Sequence, residues 1–143
     1  MLADRALRDQ DAATAIRLYK ETIALQPGNA PLLNNLAWAS AQVKDPQAIT
    51  YAEQAHKIDP YSPAIQDTYG WLLVQKGDVT RGLPLLEQAA KSAPQVLTIR
   101  YNLARALVKA GRKDDARREL EFLKSQGSKF VNQGDVDTLL KQL

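Results

Sequence analysis

The sequence contains no cysteine and a single histidine, His56. Without cysteine, disulfides and thiolate metal sites are excluded, whereas the cellular compartment stays undecided. One histidine provides no metal-binding cluster, and no Ser–His–Asp set can be assembled around it. We therefore predict no metal site, no catalytic residue and no enzymatic activity.

Several other features are missing. The motifs GxGxxG, GxxxxGK[ST] and HExxH do not occur, so the sequence predicts no cofactor. No apolar run approaches the roughly 18 residues that span a bilayer, and Met1–Arg8 lacks the apolar segment of a signal peptide. The net charge of +3 is too small to indicate a nucleic-acid partner.

What the sequence does contain is a repeat of 33 or 34 residues. Pro27, Pro60 and Pro94 mark its period, and each follows a run of helix-forming residues. Other positions recur in the same register: Ala15, Ala48, Gly82 and Ala116; Leu36, Tyr69 and Leu103; Ala37, Gly70 and Ala104; Lys44, Gly77 and Gly111. Several series in one register indicate an array of equivalent structural units.

Each unit is predicted to be a pair of antiparallel helices. The small residues suit positions where two helices cross closely, and the large apolar residues fill the space between helices. The large apolar set comprises Leu36, Tyr69, Leu103, Tyr19, Leu86 and Leu120. Proline ends the second helix because it lacks an amide donor and restrains the preceding residue. A single hairpin cannot bury its apolar face, so neighbouring hairpins must stack.

These phrases resemble tetratricopeptide repeats. LLNNLAWASAQ, DTYGWLLVQKGD and IRYNLARALVKAGR are similar to first helices of such repeats, and AIRLYKETIALQP and GLPLLEQAAKSAP to second helices. The resemblance covers nearly the whole chain. It implies an all-α fold, a right-handed α–α superhelix of about three and a half helical hairpins plus a C-terminal capping helix. It also implies a scaffold that binds a partner rather than a catalyst.

The repeat register predicts a single domain that is made of successive repeats. We predict a partial repeat over 1–29, full repeats over 30–62, 63–96 and 97–128, and a loop with a capping helix over 129–143. The predicted helices are a stub over Ala3–Arg8 and then Asp11–Gln26, Pro31–Val43, Pro46–Ile58, Pro63–Gln75, Val79–Ser92, Leu97–Ala110 and Lys113–Ser125. A last amphipathic helix is predicted to begin at Asp135, which would be its N-cap.

The first hairpin has too little chain for a full first helix. Since terminal repeats usually carry a polar outer face, we expect the chain to be part of a longer repeat protein. The last helix presents Val136, Leu139, Leu140 and Leu143 at helical spacing, and it is predicted to cover the open end of the array.

The resemblance places the ligand site on the first helices, which line the concave face in this family. Carried over in the repeat register, the residues expected to line this groove are Asn34, Asn35, Trp38, Gln42, Asp67, Thr68, Trp71, Gln75, Thr98, Tyr101, Asn102, Arg105 and Lys109.

Trp38 and Trp71 are the only tryptophans and occupy equivalent positions, followed by Arg105 in the next repeat. They would form an exposed aromatic ledge in the groove. Alternatively, each indole packs between neighbouring first helices and is mostly buried.

Polar residues of the groove suit an extended peptide, whose backbone Asn35 and Asn102 could hydrogen-bond. Some relatives hold a partner's C-terminal carboxylate with Lys, Asn and Arg. Here Ala64 and Thr68 stand where basic residues would be needed, which argues against that ligand.

A finer resemblance is carried by NNLAW, DTYGWLLVQKG and RGLPLLEQAA. These phrases resemble the C-terminal repeats of bacterial tetratricopeptide lipoproteins associated with exosortase and exopolysaccharide genes, the PEP-CTERM system. The resemblance implies a lipid-anchored envelope protein on the periplasmic side that supports polysaccharide export or protein sorting.

Three functions remain open at this point. The first is a non-catalytic scaffold that binds a partner peptide or protein in the groove. The second is a polysaccharide-contacting module that uses the groove tryptophans, and the third is an architectural spacer.

Residues 97–130 carry nine basic and four acidic side chains, which indicates a solvated helix face with partial ion pairing, or alternatively a surface that steers an acidic partner.

Overall fold

A computed structural model describes Ala3 and residues 11–143 of the chain. Its described residues form eight α-helices with no strand, and a short 3-10 turn at Gly127–Lys129. The helices are α1 Ala12–Leu25, α2 Ala30–Gln42, α3 Ala48–Ile58, α4 Pro63–Gln75, α5 Val79–Ser92, α6 Leu97–Lys109, α7 Lys113–Ser125 and α8 Gln133–Gln142.

The predicted helices agree closely with these bounds. Pro63–Gln75, Val79–Ser92 and Lys113–Ser125 are confirmed to the residue, and four others differ by one or two residues at one or both ends. The predicted stub over Ala3–Arg8 lies outside the described residues, apart from Ala3 itself.

Side-chain caps explain where several helices begin. Asp11, Asn29, Ser62 and Asp78 each accept a hydrogen bond from a backbone amide of the first turn that follows. Such caps satisfy amides that have no partner inside the helix.

The predicted N-cap at Asp135 is wrong. α8 begins two residues earlier, at Gln133, and Asn132 precedes it without a side-chain cap bond. Asp135 instead lies in the first turn, where a carboxylate interacts favourably with the helix dipole.

The helices stack as a solenoid of successive hairpins. Every helix packs against the next one in the chain, and the first helices α2, α4 and α6 also contact one another in sequence. The predicted all-α superhelix of about three and a half hairpins is confirmed, with α1 as the half unit and α2–α3, α4–α5 and α6–α7 as the full ones.

The small residues lie where the register placed them. Ala37, Gly70, Ala104, Ala48, Gly82 and Ala116 are all buried. The crossing of α4 and α5 is especially close, because a Cβ atom added at Gly82 would lie 2.5 Å from the Gly70 carbonyl oxygen and 2.7 Å from Cγ2 of Val74. Only glycine at position 82 allows this approach of the two backbones.

The predicted core residues are buried as well. Tyr19, Leu86 and Leu120 are fully shielded from solvent, and Leu36, Tyr69 and Leu103 are no more than 6% exposed. Pro84 lies within α5 on its exposed side, and the helix continues past it to Ser92.

The last helix covers the end of the stack, as predicted. Val136 is fully buried and packs with Phe130 against Tyr101, Leu120 and Leu123. Gln133 ties the connecting loop to α7, because its Nε2 donates to the carbonyl oxygens of Leu123 and Gly127 at 2.7 and 3.0 Å. The contribution of Phe130 was not anticipated, since it stands in a polar stretch of sequence.

Ion pairs involve many of the basic residues of the last hairpin. Arg100 pairs with Glu119 at 2.8 Å, and Arg112 bridges Glu87 of α5 and Asp115. Arg117, Arg118 and Lys124 pair with Asp114, Asp115 and Asp137. This arrangement matches the interpretation of a solvated face with partial ion pairing.

Replacing Gly82 with alanine tests the close crossing. The added methyl group meets backbone atoms that cannot move independently, so we expect Gly82→Ala to lower the free energy of unfolding by about 1–3 kcal/mol. Urea denaturation followed by circular dichroism measures this. Gly134→Ala in α8 is the matched control, since a Cβ atom there meets nothing within 4 Å. Equal stability of the Gly82→Ala variant and the wild type would show that the crossing opens freely.

Candidate functional site: the inner groove

A cavity of about 550 Å³ lies along the first helices and is called the inner groove below. Residues of α2, α4 and α6 form its walls, and the start of α8 closes one side. Its lining consists of Asn34, Asn35, Trp38, Ala64, Asp67, Thr68, Val96, Thr98, Ile99, Tyr101, Asn102, Arg105, Asn132 and Asp135.

Most of the predicted groove residues meet in this cavity. Those that line it are Asn34, Asn35, Trp38, Asp67, Thr68, Thr98, Tyr101, Asn102 and Arg105. Four others do not: Gln42, Trp71, Gln75 and Lys109. Gln42, Gln75 and Lys109 lie at the C-terminal ends of their helices, and Gln75 faces a separate depression beside Lys44 and Ile49.

The two tryptophans differ in exposure although their positions are equivalent. Trp38 is 43% exposed, whereas Trp71 is only 7% exposed. The guanidinium carbon of Arg105 lies 3.8 Å from the centroid of the Trp71 ring, and Lys109 Nζ lies 5.8 Å from it. The interpretation as a packed residue therefore holds for Trp71, and the exposed ledge of two indoles is not formed.

A hydrogen-bonded chain forms the floor of the groove. Asn102 Nδ2 donates to Asp67 Oδ1 at 2.9 Å, and Arg105 Nη2 donates to Asn102 Oδ1. The guanidinium of Arg105 also lies 4.5 Å from the Tyr101 ring centroid. These contacts join α4 to α6 and hold Arg105 in place. Both Nδ2 and Oδ1 of Asn102 already take part in hydrogen bonds.

Burial shifts the protonation equilibria of this floor. Desolvation raises the pKa of Asp67 to about 6, although the Asn102 hydrogen bond and the charge of Arg105 both oppose the shift. Burial also lowers the pKa of Arg105 and raises that of Tyr101. The Asp135 carboxylate contributes to the Tyr101 shift, because its charge disfavours a second anion nearby.

Two polar groups of the groove have no hydrogen-bond partner. Asn34 Oδ1 and Arg105 Nε are shielded from solvent and unpartnered within the described part of the chain. Thr68, by contrast, is satisfied locally, since its hydroxyl donates to the Ala64 carbonyl at 3.1 Å.

Sequence reasoning missed the residues that the C-terminal segment brings to the groove. Asn132 and Asp135 line it beside the first helices, although the sequence assigned this segment only to capping. No signal in the sequence marks them, because their approach to the groove depends on how α8 docks against α6 and α7.

The fold and the groove together define a class of protein. A stack of helical hairpins whose first helices line a polar groove is a helical-repeat solenoid. The profile of the Tetratricopeptide repeat family matches residues 1–63, and a second profile of the same name matches residues 73–143. The chain belongs to the tetratricopeptide repeat family, as the resemblance predicted, and members of this family generally mediate protein–protein interaction and are not catalysts.

Similar proteins agree with this assignment. The TPR repeat-containing protein PA4667 of Pseudomonas aeruginosa is 31% identical over 96 residues, which cover 66% of this chain. The match spans only 16% of the length of that protein.

Solved structures share the fold at low sequence identity. PilW, described as a type IV pilus biogenesis factor, superposes with a TM-score of 0.81 at 21% identity, over 99% of this chain and 68% of its own. The protein TTC0263 of Thermus thermophilus gives 0.75 at 20% identity, over 99% and 77% of the two chains. MamA from Desulfovibrio magneticus gives 0.72 at 18% identity, over 99% and 90%.

Two further observations concern the described residues alone. They contain no group of three or more His, Cys, Asp or Glu side chains arranged to hold a metal ion. None of their helices combines the length and the apolar character that crossing a membrane requires.

The raised pKa of Asp67 predicts a pH-dependent stability. A carboxyl whose pKa is higher in the folded state favours folding below pH 4 and loses that contribution as pH rises towards 6. We expect Asp67→Asn to remove this loss, so that its stability relative to wild type grows by on the order of 2 kcal/mol between pH 4.5 and pH 7.5. Urea denaturation of both proteins at both pH values measures this difference, in which all other carboxyls cancel. A difference independent of pH would contradict the raised pKa of Asp67.

The unequal tryptophans predict separable fluorescence. In a Trp71→Phe variant the remaining Trp38 should emit at longer wavelength and be quenched readily by acrylamide, because its indole is 43% exposed. In a Trp38→Phe variant, Trp71 should emit at shorter wavelength and resist quenching. Similar quenching constants in the two variants would show that Arg105 does not cover Trp71.

Proposed function

We propose that this chain is a non-catalytic protein–protein interaction scaffold that holds an extended peptide or a helix of a partner protein in the inner groove. The observation that carries the proposal is the exposed indole of Trp38 beside a polar floor held in place by the Asp67–Asn102–Arg105 chain. An aromatic anchor next to fixed polar groups is a typical composition of a binding hot spot.

The dimensions of the groove favour a peptide segment over a folded domain. Its volume of about 550 Å³ suits a few side chains. Asn35, Thr98 and Asn132 line it as well, and all three remain at least partly accessible to solvent for hydrogen bonds to a peptide backbone. Arg105 is the only cation of the lining that the structure describes, and it is already engaged, which argues against capture of a C-terminal carboxylate.

The other two predicted functions receive less support. A polysaccharide-contacting module would need exposed aromatic faces, and only Trp38 of the two indoles offers one. The role of an architectural spacer does not require an exposed tryptophan in the groove, and so it leaves the exposure of Trp38 unexplained.

We further propose that the partner belongs to a bacterial envelope system for polysaccharide export or protein sorting, in which the parent protein is lipid-anchored on the periplasmic side. The support for this pathway is the phrasing NNLAW, DTYGWLLVQKG and RGLPLLEQAA. No similar protein reported above carries that description in its name.

The scaffold proposal predicts a partner whose capture depends on Trp38. Immobilised wild-type protein should retain it from an envelope extract of the source cell, and Trp38→Ala should reduce its recovery severalfold because the indole supplies the anchoring contact. The matched control is Tyr61→Ala, which removes an aromatic side chain that is 85% exposed and does not line the groove. Both variants are first checked for unchanged helicity. Recovery that is equal for all three proteins would place the interaction elsewhere or favour the spacer role.

A further inference from the structure

The interaction between Arg105 and Trp71 has an incomplete counterpart one hairpin earlier. In the repeat register, position 38 is equivalent to 71 and 105, and position 34 to 67 and 101. Arg105 of α6 covers Trp71 of α4 and lies near the Asp67 carboxylate. The residue that would cover Trp38 in the same way is Trp71, which is no cation and is itself buried under Arg105.

This difference leaves one indole uncovered inside the groove. Trp38 is 43% exposed and Trp71 is 7% exposed, although the two lie at equivalent positions of their first helices. Guanidinium groups stack favourably on indole faces, as Arg105 does on Trp71. Among the described residues, no cation covers the exposed face of Trp38 as Arg105 covers Trp71.

The surroundings of Trp38 also match a cationic donor. Asn34 lies one helical turn before Trp38 on the same face of α2, and its Oδ1 is an acceptor with no hydrogen-bond partner among residues 11–143. The terminal torsion of an asparagine side chain is soft, so the amide can turn to present this acceptor to the groove. The ionisable carboxyl groups of the lining are Asp67 and Asp135, against the single cation Arg105.

We propose, on the basis of the scaffold function above, that the inner groove selects a partner segment carrying an arginine side chain. The guanidinium stacks on the exposed face of Trp38, donates to Asn34 Oδ1, and lies near the Asp67 and Asp135 carboxylates. Arginine fits this place better than lysine because its planar group stacks and donates at the same time. The partner thus supplies for Trp38 the contact that Arg105 supplies for Trp71.

Short, end-blocked, fluorescein-labelled peptides test this selection. They share one sequence of small neutral residues and differ only at the centre, which is arginine, its uncharged isostere citrulline, or glutamate. We expect the arginine peptide to bind wild-type protein at least about tenfold more tightly than either of the others, measured by fluorescence anisotropy. In heteronuclear NMR it should shift the indole resonance of Trp38, assigned with the Trp71→Phe variant, more than that of Trp71.

Two pairs of variants locate the effect. Trp38→Ala should abolish the preference for arginine, while Tyr61→Ala keeps it. Asp135→Asn should weaken binding of the arginine peptide severalfold, while Asp114→Asn removes the same charge from an exposed site outside the groove and leaves binding unchanged.

The outcomes separate this inference from the scaffold function. Equal binding of the three peptides that still depends on Trp38 would overturn the selection for arginine and leave the groove as a peptide site. Preference for glutamate, or no detectable binding of the arginine peptide, would also overturn it. The scaffold function itself fails only if capture of the cellular partner is insensitive to Trp38→Ala.

Discussion

The close approach of helices through small residues is the constraint on which the rest of the structure depends. At the α4–α5 crossing the two backbones come so near that position 82 has no room for a methyl group. Alanines serve the same purpose at the equivalent crossings, where Ala37, Ala48, Ala104 and Ala116 are buried. Because small residues let the two helices of each hairpin pack closely, the next hairpin can stack on them and bury the apolar faces that neither could bury alone.

That stacking also produces the inner groove. Consecutive first helices contact one another along one side of the solenoid, so their remaining side chains converge on a shared surface. The Asp67–Asn102–Arg105 chain then joins two of these helices through side chains, at the cost of burying a carboxyl whose pKa rises to about 6. Buried polar networks often add no more stability than apolar residues of similar volume, but this one holds polar groups in defined positions.

Much of the fold could be predicted from the repeat register. The prolines, the small residues and the large apolar residues all recur with the same spacing, and each acts through local chemistry or through contact with an equivalent neighbour. Helix ends were predicted well where a capping side chain or proline marks them, as at Ser62 and Pro63. The start of α8 was predicted wrongly, because no side-chain cap marks it and Asp135, an acidic residue of the first turn, was taken for the N-cap.

The amino-acid sequence by itself determined the number of hairpins, the helices that line the groove and most of the residues that face it. The hairpins follow from the period of 33 or 34 residues, whereas the helices and residues of the groove were implied by the tetratricopeptide resemblance carried over in that register. Tertiary structure alone decided that Trp71 is covered while Trp38 is exposed, and that Asn132 and Asp135 join the groove. Both outcomes depend on which side chain a neighbouring helix places opposite, and equivalent positions in the sequence cannot reveal that difference.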